Sequence, residues 1–137
     1  NAATSMWYGL YSISKTYTVA ENSVESTMIW GSQYDAMLNW VKNGNSADKN
    51  KITEKTNGNH SGNLATTGNS TYSNDSINNI RDLEGNLYEW TLEAYDTYYR
   101  VGRGGYYNYS SSPSNRNYYS PESPGSGLGS RLTLYIK

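Results

Sequence analysis

Tyrosine and tryptophan supply all of the aromatic volume available to this chain. Its 137 residues include 15 Tyr and 4 Trp but no Phe and no Cys. A tyrosine ring is apolar and its hydroxyl is polar, so tyrosine suits a core edge or a binding surface. Fifteen exceed what the core of one domain of this length requires. We therefore expect tryptophans and scattered aliphatic residues to build the core, and many tyrosines to lie at a surface.

Charge and composition exclude several classes of partner and site. The net charge is -1 and no stretch concentrates Lys and Arg, which argues against nucleic-acid binding. No apolar run approaches the roughly 20 residues that span a bilayer, so we expect no membrane insertion. Without cysteine there is no disulfide, thiolate metal site or thiol nucleophile. We expect residues 1–137 to form a single domain, the C-terminal domain of a longer protein.

The hydrophobic pattern predicts an α+β domain with one main helix, short strands and long ordered loops. The helix is predicted over residues 32–42, with its first residue as N-cap and Gly44 as its end. Met37, Trp40 and Val41 follow helical spacing, which predicts that Trp40 lies in the core.

Other segments have strand or loop character. Short apolar or alternating runs predict strands at 27–31, 87–92, 100–105 and 131–136, and a strand or irregular edge at 5–19. Residues 43–76 are rich in Asn, Gly, Ser and Thr and predict a long surface loop. The single histidine, His60, lies in this loop and is expected to face solvent.

Three segments resemble, in order, motifs of the formylglycine-generating enzyme (sulfatase-modifying) family. Residues 82–90 (DLEGNLYEW) resemble its N-x-x-G-N-V-W-E-W motif, and residues 100–106 (RVGRGGY) resemble R-V-x-R-G-G-S. Residues 129–132 stand where its terminal G-F-R strand occurs, and the predicted helix resembles, more weakly, T-E-A-E-W-E. The resemblance implies a C-type-lectin-like fold of the formylglycine-generating-enzyme type.

The resemblance also implies structural roles for several residues of these motifs. Gly85 would permit a positive-φ turn, and Gly104 with its neighbouring glycine would let the backbone pass close to the strand carrying Glu89. Glu89 and Arg103 would form a partly buried structural ion pair.

A calcium site is a second implication of the resemblance. The family's calcium loop, carried over, would use side-chain oxygens of Asp82 and Glu89 and backbone carbonyls of Gly85 and Leu87. The alternative is that Asp82 caps the turn and Glu89 pairs with an arginine.

The chain departs from the family in the residues of catalysis. Family oxidases bind copper through a cysteine pair just after R-G-G-S, which would fall near Asn108 and Pro113. This chain has no cysteine, and its one histidine cannot form the cluster that iron-dependent relatives require. We therefore expect a protein that is not an enzyme and that requires no cofactor.

The segment from residue 95 to 123 has the composition of an antibody paratope, in which tyrosine supplies contact area and Ser and Asn supply adaptable hydrogen bonds. The stiff motifs that flank it would hold it as a rigid frame holds binding loops. Arg100, Arg103 and Arg116 would add charge-assisted contacts, or, for the first two, belong to the frame. The candidate ligand-binding residues are Tyr98, Tyr99, Tyr106, Tyr107, Asn108, Tyr109, Asn115, Asn117, Tyr118 and Tyr119.

This arrangement resembles the variable proteins of diversity-generating retroelements and related prophage-encoded proteins. Their mutagenesis at template adenines favours codons for Asn, Tyr and Ser. The resemblance implies a ligand- or receptor-binding module, with residues 96–123 as its surface, on a phage tail or bacterial surface. Its partner would be a protein or glycan receptor. The alternatives are a structural virion or cell-surface subunit whose tyrosines form an oligomer interface, and a long loop that is merely solvated.

Overall fold

The computed structural model describes residues 6–18, 23–44 and 47–137. Within these ranges the fold is mixed α/β, with two α-helices and three small sheets. The elements are α1 (Trp7–Ser14), β1 (Val24–Met28), α2 (Gly31–Asn43), β2 (Ser76–Ile77), β3 (Ile80–Arg81), β4 (Tyr88–Ala94), β5 (Arg100–Arg103), β6 (Arg116–Tyr119), β7 (Leu128–Ser130) and β8 (Leu132–Ile136). Short 3-10 helices at Ala47–Asn50 and Ser70–Asp75 interrupt the loop between α2 and β2.

A four-stranded sheet in the order β6-β5-β4-β7 forms the centre of the fold. β5 is antiparallel to both of its neighbours, whereas β7 runs parallel to β4. Trp90 of β4 lies opposite Gly102 of β5, which in turn lies opposite Asn117 of β6. Because side chains alternate between the faces of a strand, Trp90, Asn117 and Tyr119 share one face of the sheet.

β1 and β8 form a separate antiparallel ribbon, with Val24 opposite Ile136. This confirms the strand predicted at 131–136. The side chains of β8 remain largely exposed, up to 90% for Ile136. Within the described ranges, no helix combines the length and apolar character needed to cross a membrane.

The main core lies between α2 and the loops that follow it. Its buried side chains are Ile29, Tyr34, Leu38, Val41, Ile52, Ile77 and Leu83. The expected burial of Trp40 is wrong, because this side chain is 60% exposed. The buried stripe of α2 consists of Tyr34, Leu38 and Val41, at i, i+4 and i+7, and Trp40 lies about 100° around the helix from Val41.

The predicted helix is confirmed with small changes at its start. It begins at Gly31, and Trp30 is the N-cap residue rather than Ser32. The Trp30 amide donates to Gln33 Oε1 at 3.0 Å, which satisfies a donor at the helix start. Gly44 follows the last helical residue, as predicted.

The strand or edge predicted near the N-terminus is wrong, since residues 7–14 form helix α1. Trp7 and Tyr11, one helical turn apart, stack with ring centroids 5.3 Å apart. The Trp7 indole donates to the carbonyl of Thr91 at 2.8 Å and so fixes α1 against the central sheet. The strand predicted at 27–31 is displaced, because β1 ends at Met28.

The long loop after α2 has little regular structure, as predicted, but it is anchored by buried side chains. Ile52, Asn59 and Asp75 are buried. Two of these three anchors are polar and are held by hydrogen bonds, which hydrophobic periodicity does not reveal. The loop therefore forms one side of the frame that supports the central sheet.

Candidate ligand-binding site

An open cleft of about 620 Å³ lies over the sheet face that carries Asn117 and Tyr119. Five of the predicted ligand-binding residues line it together: Tyr106, Asn108, Tyr109, Asn117 and Tyr119. Ser123, at the end of the predicted 96–123 segment, also lines the cleft, and five lining residues fall outside that segment: Tyr88, Gly125, Ser126, Gly127 and Leu128. None of these lining residues carries a charged side chain. The cleft therefore combines aromatic rings with neutral amides and hydroxyls.

The floor of the cleft is aromatic. Tyr88 and Tyr119 have ring centroids 5.5 Å apart, and Tyr119 contacts Trp90 edge-on at 5.8 Å. Tyr119 lies above β5 at Gly102, where an added Cβ would come within 3.3 Å of its ring. Glycine at this position of β5 thus leaves room for the Tyr119 ring over the sheet.

One wall is formed by a turn at residues 106–109. Tyr106 stacks on Tyr88 at 4.9 Å, and the Tyr109 amide donates to the carbonyl of Tyr106 at 2.9 Å. Tyr107 reaches across to the opposite wall, where its hydroxyl lies 3.0 Å from Ser126 Oγ. Gly127 lies directly against the Tyr106 ring, since an added Cβ would be 2.6 Å from it. The two walls are therefore in contact and hold each other in place.

The phenols of the floor stay neutral around physiological pH. Burial raises the pKa of Tyr88 above its ordinary value. Burial and the neighbouring Tyr88 likewise raise the pKa of Tyr119. Asn117 Nδ2 donates to the Tyr88 hydroxyl at 3.2 Å, which orients both side chains. The floor thus presents uncharged groups that donate and accept hydrogen bonds.

Close backbone packing supports the turn at residues 106–109 from behind. The Tyr107 amide donates to the carbonyl of Asn86 at 3.1 Å. The predicted positive φ at Gly85 is wrong: Asn86 adopts it, with φ 67°, while Gly85 allows close approach to Asn59. Gly104, with φ 76°, confirms the need for glycine at that position, although it approaches Leu83 rather than the strand carrying Glu89.

A buried polar cluster lies beneath the same turn and contains the single histidine. The expectation that His60 faces solvent is wrong, because its ring nitrogens lie 3.1 Å from Glu84 Oε1 and 3.2 Å from the Tyr106 carbonyl oxygen. Asp75 accepts hydrogen bonds from the amides of Glu84 and Gly85. Burial raises the pKa of Asp75 to about 6. These groups stabilise the frame and do not line the cleft.

Three other predicted tyrosines, Tyr98, Tyr99 and Tyr118, lie outside the cleft. Tyr118 alternates with Asn117 and Tyr119 and stacks on Tyr95 at 4.2 Å. Tyr99 contacts Tyr118 edge-on at 5.4 Å, and Tyr98 is 76% exposed. We call these four tyrosines, 95, 98, 99 and 118, the outer tyrosine patch. The predicted binding surface is therefore divided between two faces.

Two predicted contact residues have framework contacts. Asn115 Nδ2 donates to the carbonyl of Gly104 at 3.3 Å and does not line the cleft. Arg116 donates to Glu93 Oε1 at 2.8 Å through Nε and lies over the Tyr95 ring. Both residues therefore position backbone or side chains next to the cleft and the outer tyrosine patch.

The predicted ion pair between Glu89 and Arg103 is replaced by two others. Although these residues lie opposite each other in β4 and β5, Glu89 accepts from Arg131 at 2.5 and 3.0 Å. Arg103 pairs instead with Asp35 of α2 and packs its guanidinium 4.9 Å from the Tyr34 ring. The arginine that neutralises Glu89 thus comes from the end of the chain.

The proposed calcium ligands are engaged with protein partners. Both Glu89 oxygens bind Arg131, and the Gly85 carbonyl accepts the Leu87 amide at 2.9 Å. Asp82 accepts hydrogen bonds from the Gly68 amide at 2.9 Å and from the Asn86 side-chain amide at 3.4 Å, so it links the turn at residues 85–86 to the preceding loop. Among the described residues, no three acidic or histidine side chains are grouped to hold a metal ion. The pairing of Glu89 with Arg131 opposes a cation at this place, and the calcium site stays a prediction of the resemblance.

The chain was compared with protein-family models, curated proteins and solved structures. None of them matched.

Sequence reasoning missed Tyr88 and residues 125–128 for different reasons. Tyr88 belongs to the 82–90 motif and alternates with Trp90, so the sequence indicates which face of the strand it occupies. The sequence does not indicate which residues from other segments lie next to it. Leu128 joins the cleft because β7 pairs in parallel with β4, which puts it beside Tyr88. Nothing in the Ser, Pro and Gly composition of residues 123–127 signals that pairing.

Proposed function

We propose that this chain is a non-catalytic ligand-binding module with a C-type-lectin-like fold, and that its ligand enters the tyrosine cleft. The observation that carries the proposal is the convergence of five sequence-predicted contact residues on one open, uncharged cleft. Concave sites lined by aromatic groups and a few polar groups are typical of ligand-binding sites.

The fold proposal is supported by the positions of the three motifs. Residues 88–90, 100–103 and 129–130 belong to β4, β5 and β7. These strands are neighbours in the central sheet, in the order β5-β4-β7. Motifs that are separated along the chain thus meet in one sheet, which favours a shared structural role over coincidental similarity.

The rigidity of the cleft supports a role in recognition. The hydrogen bond between Tyr107 and Ser126 and the stack of Tyr106 on Tyr88 link its walls and floor. A site that is already ordered loses less conformational entropy when it binds. Rigid tyrosines also provide contact area at low entropic cost.

The non-catalytic part of the proposal rests on the chemistry of the lining. His60, the only histidine, is held beneath the cleft by Glu84 and the Tyr106 carbonyl. No carboxylate, lysine or cysteine is among the described residues that line the cleft. General acid–base catalysis most often uses such a group within hydrogen-bond reach of the substrate, although tyrosine can also serve. Burial raises the pKa of Tyr88 and Tyr119, which disfavours the ionised form that would act as a base.

The resemblance to retroelement variable proteins supports display on a phage tail or a bacterial surface. In that setting the module would bind a protein or glycan receptor. Flow cytometry of the labelled chain on a panel of bacterial strains tests this proposal. Tyr109→Ala should lower binding about tenfold, the loss of one aromatic contact, and leave the melting temperature unchanged, since Tyr109 is 59% exposed. Tyr8→Ala, at a similarly exposed tyrosine of α1, is the matched control, and equal binding by all three proteins would contradict the proposal.

The outer tyrosine patch favours a second candidate function, that of a structural virion or cell-surface subunit. Its four rings are exposed, and exposed aromatic groups next to an arginine are typical of protein interfaces. This function predicts a stable oligomer that Tyr118→Glu dissociates. Light scattering coupled to size-exclusion chromatography measures it, and a monomer at every concentration would exclude an oligomer formed through the patch.

A further inference from the structure

We infer that the ligand of the tyrosine cleft is a neutral saccharide, held by ring stacking and by side-chain amides and hydroxyls. The inference rests on the proposed function, because it names the ligand class of the same cleft. Three properties of the site support it: its lack of charge, the chemistry of its free polar groups, and its shape.

The lining offers no ion-pair partner to a charged ligand. All of its described side chains are neutral. The floor phenols of Tyr88 and Tyr119 also resist ionisation, as burial raises the pKa of each. Moving an ionic group from water into such a site is costly unless the site supplies an opposite charge. A phosphorylated or strongly acidic ligand is therefore disfavoured relative to a neutral one.

The polar groups of the cleft match the hydroxyl groups of a sugar. Amides and hydroxyls both donate and accept hydrogen bonds, as sugar hydroxyls do. The side-chain amide of Asn108 and the hydroxyl of Ser123 have no hydrogen-bond partner among the residues that the structure describes. They remain available to a ligand, whereas Asn117 is already oriented by Tyr88.

The aromatic groups match the other half of a sugar's surface. A pyranose ring has apolar C–H faces and a polar rim of hydroxyls, so it needs flat apolar surfaces flanked by hydrogen-bonding groups. Tyr106 and Tyr119 line the same cleft as Asn108 and Asn117, and Tyr109 adds a ring that is 59% exposed. Aromatic rings and hydrogen-bonding groups thus lie together in one cleft.

The shape of the site favours a saccharide over a folded protein surface. The cleft has a volume of about 620 Å³ and is lined by 11 residues. Stable protein–protein interfaces involve about 20–30 residues on each side and are broad. Sites for small ligands are concave, with volumes of roughly 300–1,000 Å³. A protein receptor could enter this cleft only through a protruding loop.

An array of uncharged di- and trisaccharides of hexoses and N-acetylhexosamines, probed with the labelled chain, tests the inference. We expect retention on neutral glycans that falls about tenfold in Tyr109→Ala, the loss of one aromatic contact. Tyr109→Phe should retain most binding if the ring is the contact, and Tyr8→Ala, at a tyrosine of α1 that is 51% exposed, should bind as the unmodified chain does. The saccharide inference would be overturned if the chain is retained on no neutral glycan, or if Tyr109→Ala is retained as well as the unmodified chain.

Cell binding distinguishes this failure from failure of the proposed function. Strains that bind the chain are treated either with periodate, which cleaves sugar diols, or with protease. Cell binding that is lost after periodate but survives protease supports the saccharide. Binding that survives periodate, is lost after protease and still needs Tyr109 leaves the binding module standing and replaces the saccharide with a protein loop. Binding that Tyr109→Ala leaves unchanged overturns both proposals.

Discussion

The ring of Tyr106 stacks on the ring of Tyr88, with centroids 4.9 Å apart and 30° between the planes. Tyr88 belongs to the central sheet and Tyr106 to the turn that follows β5. The stack therefore joins the rigid frame to the segment that we expect to contact ligand. Tyr88 also accepts a hydrogen bond from Asn117 of β6, so three segments of the cleft meet at one side chain.

Substitutions at Tyr88 should separate its ring from its hydroxyl. Tyr88→Ala should lower the free energy of unfolding by about 3–5 kcal/mol, because it leaves a cavity beneath Tyr106. Tyr88→Phe should cost about 1 kcal/mol, the value of one hydrogen bond. Urea denaturation measures both changes, with the exposed Tyr98→Ala as a control near zero. Similar losses for the alanine and phenylalanine variants would show that the ring is not packed in solution.

The ion pair between Arg131 and Glu89 should contribute more to the free energy of unfolding than the ion pair between Arg116 and Glu93. Arg131→Met leaves the buried Glu89 carboxylate without its partner, which should cost about 3 kcal/mol or more. Arg116→Met breaks a more exposed pair and should cost about 0–1 kcal/mol. Thermal and chemical denaturation compare the two variants. Equal losses would contradict the assignment of Arg131 as the partner of Glu89.

Stability should fall as pH rises from about 4 to about 6, through the buried carboxyl of Asp75. Its pKa is raised from 3.8 to about 6, mainly by burial and also by Glu84 and Asp82. Between these values the folded state holds a proton that the unfolded state has released, so raising the pH favours unfolding. Asp75→Asn should flatten the dependence of the melting temperature on pH over this interval.

Asp48→Asn is the control for the pH experiment. Hydrogen bonds from Asn78 and Lys51 lower the pKa of Asp48, so its contribution is lost as pH falls and has the opposite sign. This variant should lower stability at neutral pH without flattening the decline between about pH 4 and 6. A decline that persists in full in Asp75→Asn would assign it to another group, such as Glu89, whose pKa burial also raises.

The melting temperature should be the same with calcium and with a chelator. Arg131 neutralises the Glu89 carboxylate and donates hydrogen bonds to both of its oxygens, so a cation would have to displace this arginine. A cation that bound only the folded state would raise the melting temperature. Differential scanning calorimetry in the same buffer with either calcium or chelator measures the melting temperature. A melting temperature that rises with calcium, and does not rise in Glu89→Gln, would restore the calcium prediction.

Local patterns determined several elements of this protein. The strand after the turn at residues 85–86 and the strand at Arg100–Arg103 follow from alternation and from glycine positions. The end of α2 at Gly44 follows from the same kind of signal. These features depend on neighbours within a few residues, where periodicity and glycine conformation are decisive.

The candidate contact residues were identified only as a set. Composition selected residues 95–123 because Tyr, Ser and Asn are concentrated there. It did not divide Tyr118 from Tyr119, although adjacent residues of a strand point to opposite faces. The pairing of β6 with β5 places Tyr119 over Gly102 in the cleft and Tyr118 against Tyr95 on the outer tyrosine patch.

The sequence by itself determined that this chain has a tyrosine-rich segment on a frame of glycine-containing strands. Only the tertiary structure decided which tyrosines meet, that Trp40 is exposed, and that Arg131 rather than Arg103 neutralises Glu89. The physical reason is the range of the interactions. Alternation and turns are set by adjacent residues, whereas the cleft and the ion pair depend on contacts between segments far apart in the chain, such as the parallel pairing of β7 with β4.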